Sequence, residues 1–231
     1  MADRDNFYKF LKKVAIGPAI EVGFHPWVEG LENIPESGAA ILASNHLSFS
    51  DSIFLPVAVP RKITFMAKSE YFEGPGIRGK VVAAFVRGAG QVPVDRTGGN
   101  ASMAAISTGV RLLNEGHLLG IYPEGTRSPD GRLYKGRTGI ARLAIESGAP
   151  IIPVAMFNTE KIQPTGTVVP KVMRVKMIFG EPMYFDGDST DLQYLRDVTD
   201  KIMSTIQEMS GQEYVDAHAT KAKKATEESE D

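Results

Sequence analysis

Short apolar runs recur along this chain between stretches of helical periodicity, and that alternation restricts the fold more than any other feature. The runs fall at 39–43, 63–67, 91–94, 118–122, 151–156 and 172–179. Helical stretches separate them at about 52–59, 77–86, 101–115, 139–147 and 191–209. In 101–115, Met103, Ile106, Val110 and Leu113 keep helical spacing, and Gly116 supplies a C-terminal stop. Strands that alternate with helices in this way pair in parallel and are covered on both faces. The expectation is an α/β single domain, with a mostly parallel twisted sheet covered by helices and an N-terminal amphipathic helical segment. That segment spans 1–27, the main domain 28–210, and a charged tail 211–231 reads as disordered. Residues 157–171, with two prolines and a glycine, read as a long loop.

In the first segment, residues 4–24, Phe7, Leu11 and Val14 share one helical face, and Lys9, Lys12 and Lys13 lie largely elsewhere. Gly17-Pro18 breaks or kinks the helix. A basic amphipathic segment ahead of a globular domain fits either a membrane interface or packing on the domain itself.

Cysteine is absent from the 231 residues, so disulfides, thiolate metal sites and a cysteine nucleophile are excluded. The net charge of −2 hides an uneven distribution. Residues 211–231 hold six acids and three lysines, whereas 61–87 hold six basic residues against two acids, and 127–142 five against one. Such basic stretches serve phosphates or an anionic membrane surface, or form a solvated face. No nucleic-acid partner is expected. No apolar run approaches the roughly 20 residues of a transmembrane helix, and no signal peptide is evident. The expected location is peripheral, on the cytoplasmic face of a membrane.

Three polar clusters each follow an apolar run directly: Ser44-Asn-His-Leu-Ser-Phe-Ser-Asp51, Asp95-Arg96, and Pro123-Glu-Gly-Thr-Arg-Ser128. In an open α/β sheet, ligands bind beyond the carboxyl ends of the strands, so these clusters can meet at one edge. His46 takes a proton near neutral pH, and Asp51, five residues on, can hold its other ring nitrogen. Arg96 and Arg127 offer planar forks for a phosphate. With no cysteine and no marked serine, the simplest chemistry is attack by a substrate hydroxyl that His46 activates. Taken singly, each residue has a plainer role: Asp51 as the N-cap of the following helix, Glu124 as a turn cap. His25, His117 and His218 read as structural or exposed.

Two other motifs are discounted. Residues 74–79 match G-x-G-x-x-G and run into most of a P-loop, but Val81 stands where Ser or Thr must reach magnesium. Polar residues 68–73 replace the strand that should precede it, and Pro75 removes a backbone donor. No G-x-S-x-G elbow is present, which disfavours a serine α/β-hydrolase.

Over residues 28–185 the chain resembles the glycerolipid acyltransferase family that includes 1-acyl-glycerol-3-phosphate acyltransferases. The motif N-H-x-x-x-x-D appears as Asn45, His46 and Asp51; an arginine closing a short strand as Val92-Pro-Val-Asp-Arg96; P-E-G-T-R within Tyr122-Pro-Glu-Gly-Thr-Arg-Ser128; and an apolar strand as Ala149-Pro-Ile-Ile-Pro-Val154. The resemblance implies that His46 is the general base and Asp51 its partner. Arg96 and the segment Glu124, Gly125, Thr126 and Arg127 would hold the acceptor, with the arginines on its phosphate. It further places Lys68 near that phosphate and Pro153 in the wall of the site. Acyl-CoA or acyl carrier protein would be the donor and 1-acyl-glycerol 3-phosphate the acceptor, with no cofactor and no metal. Tyr122 departs from the commoner Phe. No counterpart of the pair of N-terminal transmembrane helices that some relatives carry is expected. Alternatives are the same chemistry on glycerol 3-phosphate, another lysophospholipid or a glycolipid, a non-catalytic membrane-binding module, and, least well supported, a metal hydrolase.

Overall fold

The computed structural model describes residues 2–88, 90–94, 101–164 and 170–223. The chain opens with α1 (Ala2–Phe10), a π-helical turn Leu11–Ile16, and α2 (Gly17–Phe24). The change of pitch falls just before Gly17-Pro18, where the proline has no N–H for the helix and its ring crowds the preceding turn. The packed face is not the one the spacing favours. Tyr8 and Ile20 are buried, and the Lys12 ammonium donates to the Val59 carbonyl, while Phe7, Phe10 and Val14 face outward. Burial, with help from the neighbouring Lys13 charge, lowers the Lys12 pKa to about 8.

The rest of the chain alternates as expected. It runs β1 (Trp27–Glu29), β2 (Ala40–Ser44), α3 (Asp51–Ala58), β3 (Ile63–Lys68), α4 (Gly76–Gly88), β4 (Val92–Val94), α5 (Ala101–Asn114), β5 (Leu118–Ile121) and β6 (Leu133–Tyr134). There follow α6 (Gly139–Ser147), β7 (Ile151–Phe157), α7 (Thr159–Ile162), β8 (Lys176–Phe179), α8 (Leu192–Ser210) and β9 (Tyr214–Val215). Seven strands form one sheet in the order β1-β8-β7-β2-β5-β3-β4. Every pair is parallel except β7–β8. Central β2 is buried at every position because both faces are covered. Its Ile41 and Ala43 join a core with α5, α6 and α8, and its Ala40 and Leu42 one with α2 and α3.

Helix ends follow the local sequence. Asp191 caps α8 by accepting from the backbone N–H groups of Gln193 (2.9 Å) and Tyr194 (3.1 Å), and Gly211 ends it in the left-handed region. The short β1 and the β6–β9 pair were not expected. The expected strand 172–179 is confined to β8, and the expected loop 157–171 contains α7. Within the expected disordered tail, residues 211–223 are ordered. They carry β9 and a helical turn at 219–223. Backbone pairing with β6 and a buried Ala219 supply what the tail's polar composition lacks. Residues 224–231 lie outside the described residues. Among the described residues, no helix is long and apolar enough to cross a membrane.

Candidate active site

The register of β2 against β5 sets the site. Ala43 lies beside Ile121, so the loops that leave both strands emerge together at the carboxyl edge. His46 leaves β2, and Tyr122 to Ser128 leave β5. The loops are tied directly: the Ser128 N–H donates to the His46 carbonyl at 2.7 Å, and the His46 N–H donates to Glu124 Oε1 at 3.1 Å.

His46 Nδ1 lies 2.8 Å from Asp51 Oδ2. The same oxygen accepts the backbone N–H groups of Leu47 (2.7 Å) and Ser48 (2.8 Å). Asp51 is 0% exposed and begins α3, so its anionic side chain also faces the positive end of that helix. With three donors converging on one oxygen, the ring offers Nδ1–H to the carboxylate and keeps Nε2 as its free base. The imidazole, 15% exposed, lies flat on Tyr122, with centroids 3.8 Å apart and planes at 11°. Tyr122 stacks in turn on Phe65, and its hydroxyl pairs with Ser52 Oγ at 3.1 Å. Burial, and then the Asp51 charge, push the Tyr122 pKa well above its usual value, so the phenol stays neutral. A Phe at this position would stack but could not reach Ser52.

Asn45 has a scaffolding part that its motif alone does not reveal. Its amide donates to the Met156 carbonyl (3.0 Å) and accepts from the Met156 N–H (2.8 Å), fixing the end of β2 to β7. It also donates to Gln212 Oε1 at 2.7 Å.

Glu124, expected among the acceptor's contacts, is held on both oxygens by the protein itself. It is 1% exposed, and while Oε1 accepts from His46, Oε2 accepts the Tyr134 N–H at 2.9 Å. Both oxygens are engaged in joining loops, so Glu124 braces the site. Burial raises its pKa to about 7, against the opposing pull of those two N–H groups. Gly125 has φ +75°, and a Cβ there would sit 2.7 Å from Arg137 Nε, so glycine serves both backbone and packing. Thr126 accepts a hydrogen bond from the Lys223 ammonium at 3.0 Å. Arg127 is half-buried next to it and has no ion-pair partner among the described residues. Lys68 closes β3 opposite Val94, at the same edge, but its side chain is outside what the structure describes. Arg96 lies outside the described residues. Pro153 is on central β7, beside Ala43.

The remaining sequence candidates take structural places. His218 Nδ1 lies 3.1 Å from the Lys135 carbonyl, His117 pairs with Glu115, and His25 ends α2 in the left-handed region. The glycines of the phosphate-loop lookalike permit close backbone packing, since a Cβ on Gly79 would lie 1.9 Å from the Gly74 carbonyl oxygen. Phe49, in the His46–Asp51 loop, is 58% exposed, and Met103 is also exposed, whereas Met66 packs on the core. Among the described residues no cluster of three metal-ligating side chains occurs.

A family model described as Acyltransferase matches residues 25–157. This chain belongs to the acyltransferase family. It is 34% identical to a 1-acyl-sn-glycerol-3-phosphate acyltransferase of Bacillus subtilis, covering 66% of this chain and 71% of the relative. It is 30% identical to a chloroplastic enzyme of the same name from Brassica napus, over 82% of this chain and 53% of the relative. The chain spans about half the length of the plant relatives that it matches. The crystal structure of the 1-acyl-sn-glycerophosphate acyltransferase of Thermotoga maritima superposes with a TM-score of 0.61 at 23% identity, covering 88% of this chain and 80% of that one. This acyltransferase therefore shares its α/β fold, with the mostly parallel sheet expected from the sequence.

Proposed function

We propose that this acyltransferase moves a fatty acyl group from acyl-CoA or an acyl carrier protein to the free hydroxyl of 1-acyl-glycerol 3-phosphate, giving phosphatidic acid. The observation that carries the reading is the His46–Asp51 pair, 2.8 Å apart, with its ring clamped on Tyr122. The names of the relatives support the acceptor.

In the proposed mechanism, His46 Nε2 removes the proton of the acceptor hydroxyl as its oxygen attacks the thioester carbonyl. The C–O bond forms, and collapse of the tetrahedral intermediate breaks the C–S bond and releases the thiol. The imidazolium returns its proton to the departing sulfur. Asp51 stabilises the imidazolium while it exists. A positioned base contributes about 10²–10⁴ in rate. The stack on Tyr122 and the three bonds at Asp51 Oδ2 restrict the ring before substrate arrives, which adds an orientational gain. Arg127 holds the acceptor's phosphate, and the family resemblance adds Arg96 and Lys68 as further cations for it. Phe7, Phe10 and Val14, exposed beside Lys9 and Lys13, support a peripheral membrane contact through which the lysophospholipid arrives.

The test is a comparison of acceptors and donors in Arg127→Ala. The KM for 1-acyl-glycerol 3-phosphate should rise at least tenfold, as expected for losing about 1.5–3 kcal/mol in a hydrogen bond to a charged group. The donor KM should change little. Equal effects on both substrates would contradict the phosphate role, and turnover only with a phosphate-free acceptor would move the substrate assignment.

A further inference from the structure

The ordered tail does more than pack. After α8, residues 211–223 run back along the loop that carries P-E-G-T-R and along β6. Gln212 starts this strap: its carbonyl oxygen accepts from Asn45, and its amide donates to the Gly131 carbonyl at 2.6 Å. It thereby links the residue before His46 to the loop after Arg127. Next, the Leu133 N–H donates to the Glu213 carbonyl at 2.9 Å, and the Lys135 N–H is shared between the carbonyls of Val215 and Ala217. Ala219, fully buried, fixes the helical turn that follows. Thr220 Oγ1 accepts from Arg137 at 3.4 Å, and the turn ends with Lys223 Nζ 3.0 Å from Thr126 Oγ1. Backbone pairing, a buried apolar contact and side-chain bonds thus act together to bring the Lys223 ammonium to the Thr126 hydroxyl.

That hydroxyl sits between Gly125, against which the Arg137 side chain packs, and Arg127. A threonine hydroxyl that accepts from an ammonium still has its own O–H to donate. The Lys223 charge lies in a partly buried place, where screening by solvent and salt is weaker. A phosphate monoester carries close to two negative charges at neutral pH. Arg127 alone leaves much of that charge uncompensated, and Lys223 joins Arg96 and Lys68 in meeting the need, held by a hydrogen bond to the P-E-G-T-R segment itself.

The geometry points to Lys223 as a specificity-determining residue that binds the phosphate of the acceptor together with Thr126 and Arg127, held there by the strap that Gln212 anchors. This rests on the reading of the P-E-G-T-R segment as the acceptor's phosphate site. The coenzyme A donor also bears phosphates, so the two substrates must be separated.

The experiment uses the full chain and measures KM for 1-acyl-glycerol 3-phosphate and for acyl-CoA in Lys223→Ala, Lys223→Arg and Lys223→Glu, with thermal midpoints alongside. Lys223→Ala should raise the acceptor KM about tenfold, the size of one charge-assisted contact, and leave the donor KM within about twofold. Lys223→Arg keeps the charge and should recover most of the affinity, whereas Lys223→Glu should be worse than Lys223→Ala. An unchanged acceptor KM in Lys223→Ala would overturn the assignment. So would a rise confined to the donor, or an equal rise in both KM values with a lowered midpoint, which would mark a structural part. If the unaltered chain shows no turnover dependent on 1-acyl-glycerol 3-phosphate, the functional reading fails and the Lys223 assignment falls with it. Normal turnover with insensitive Lys223 variants would remove the assignment alone.

Discussion

Replacing Asp51 by asparagine separates the charge of the His46–Asp51 pair from its geometry. Oδ2 receives three donors: His46 Nδ1, Leu47 N–H and Ser48 N–H. The two backbone N–H groups cannot turn away, so the amide oxygen of an asparagine must take their side. Its NH2 then occupies the place of Oδ1, which has no hydrogen-bond partner among the described residues. The ring keeps its Nδ1–H tautomer, and only the negative charge is lost. Two unit charges about 4 Å apart interact by about 4 kcal/mol at an effective dielectric constant near 20. The loss in kcat should therefore be about 10³. This is less than the about 10⁴ seen where such a substitution also inverts the tautomer. Folding should weaken by about 1–3 kcal/mol at most, because a buried NH2 without a partner is only partly offset by relief from burying a charge. The assay is thiol release at saturating acceptor and donor, with the thermal midpoint measured on the same preparation. A kcat within tenfold of the unaltered chain, measured below the variant's own midpoint, would refute the claim that Asp51 acts through its charge.

Two further outcomes follow from the braces around the site. Asn45→Ala strands the buried N–H and carbonyl of Met156, at about 1–3 kcal/mol each; the melting midpoint should drop by roughly 5–15 °C, and an unmoved midpoint would contradict this account of Asn45. Glu124 has a folded pKa of about 7 against an ordinary value of 4.5. Its protonated form is the one that folding favours, so its contribution is complete below about pH 4.5 and is lost as pH rises through about 7. The loss amounts to about 3 kcal/mol. Urea unfolding of the unaltered chain and Glu124→Gln at pH 5 and pH 8 should show this loss only in the former, and matching pH dependence in both would rule it out.

What the sequence reveals about this chain divides along physical lines. Central strands buried on both faces, such as 39–43 and 151–156, announce themselves as continuous apolar runs, and helices such as 191–209 carry their own caps. His46 and Asp51 are visible because both lie within one eight-residue segment, from Ser44 to Asp51. Contacts made across the fold leave no local trace. The bracing of Glu124 depends on Tyr134, the fixing of Asn45 depends on Met156, and the ordering of the tail depends on β6. A two-residue strand such as β6 or β9 has no periodicity to read, so a polar tail that pairs with one looks disordered. The inward Lys12 misleads for a related reason: its aliphatic stem packs while its ammonium finds a carbonyl.

The central claim is that His46 is the general base of an acyl transfer to 1-acyl-glycerol 3-phosphate. Its most direct test is release of free CoA from palmitoyl-CoA by the purified chain and by His46→Ala, with and without that acceptor. The account expects release that depends on the acceptor and falls by at least about 10² in His46→Ala, at an unchanged thermal midpoint. Retention of more than about a tenth of the activity in His46→Ala would contradict it.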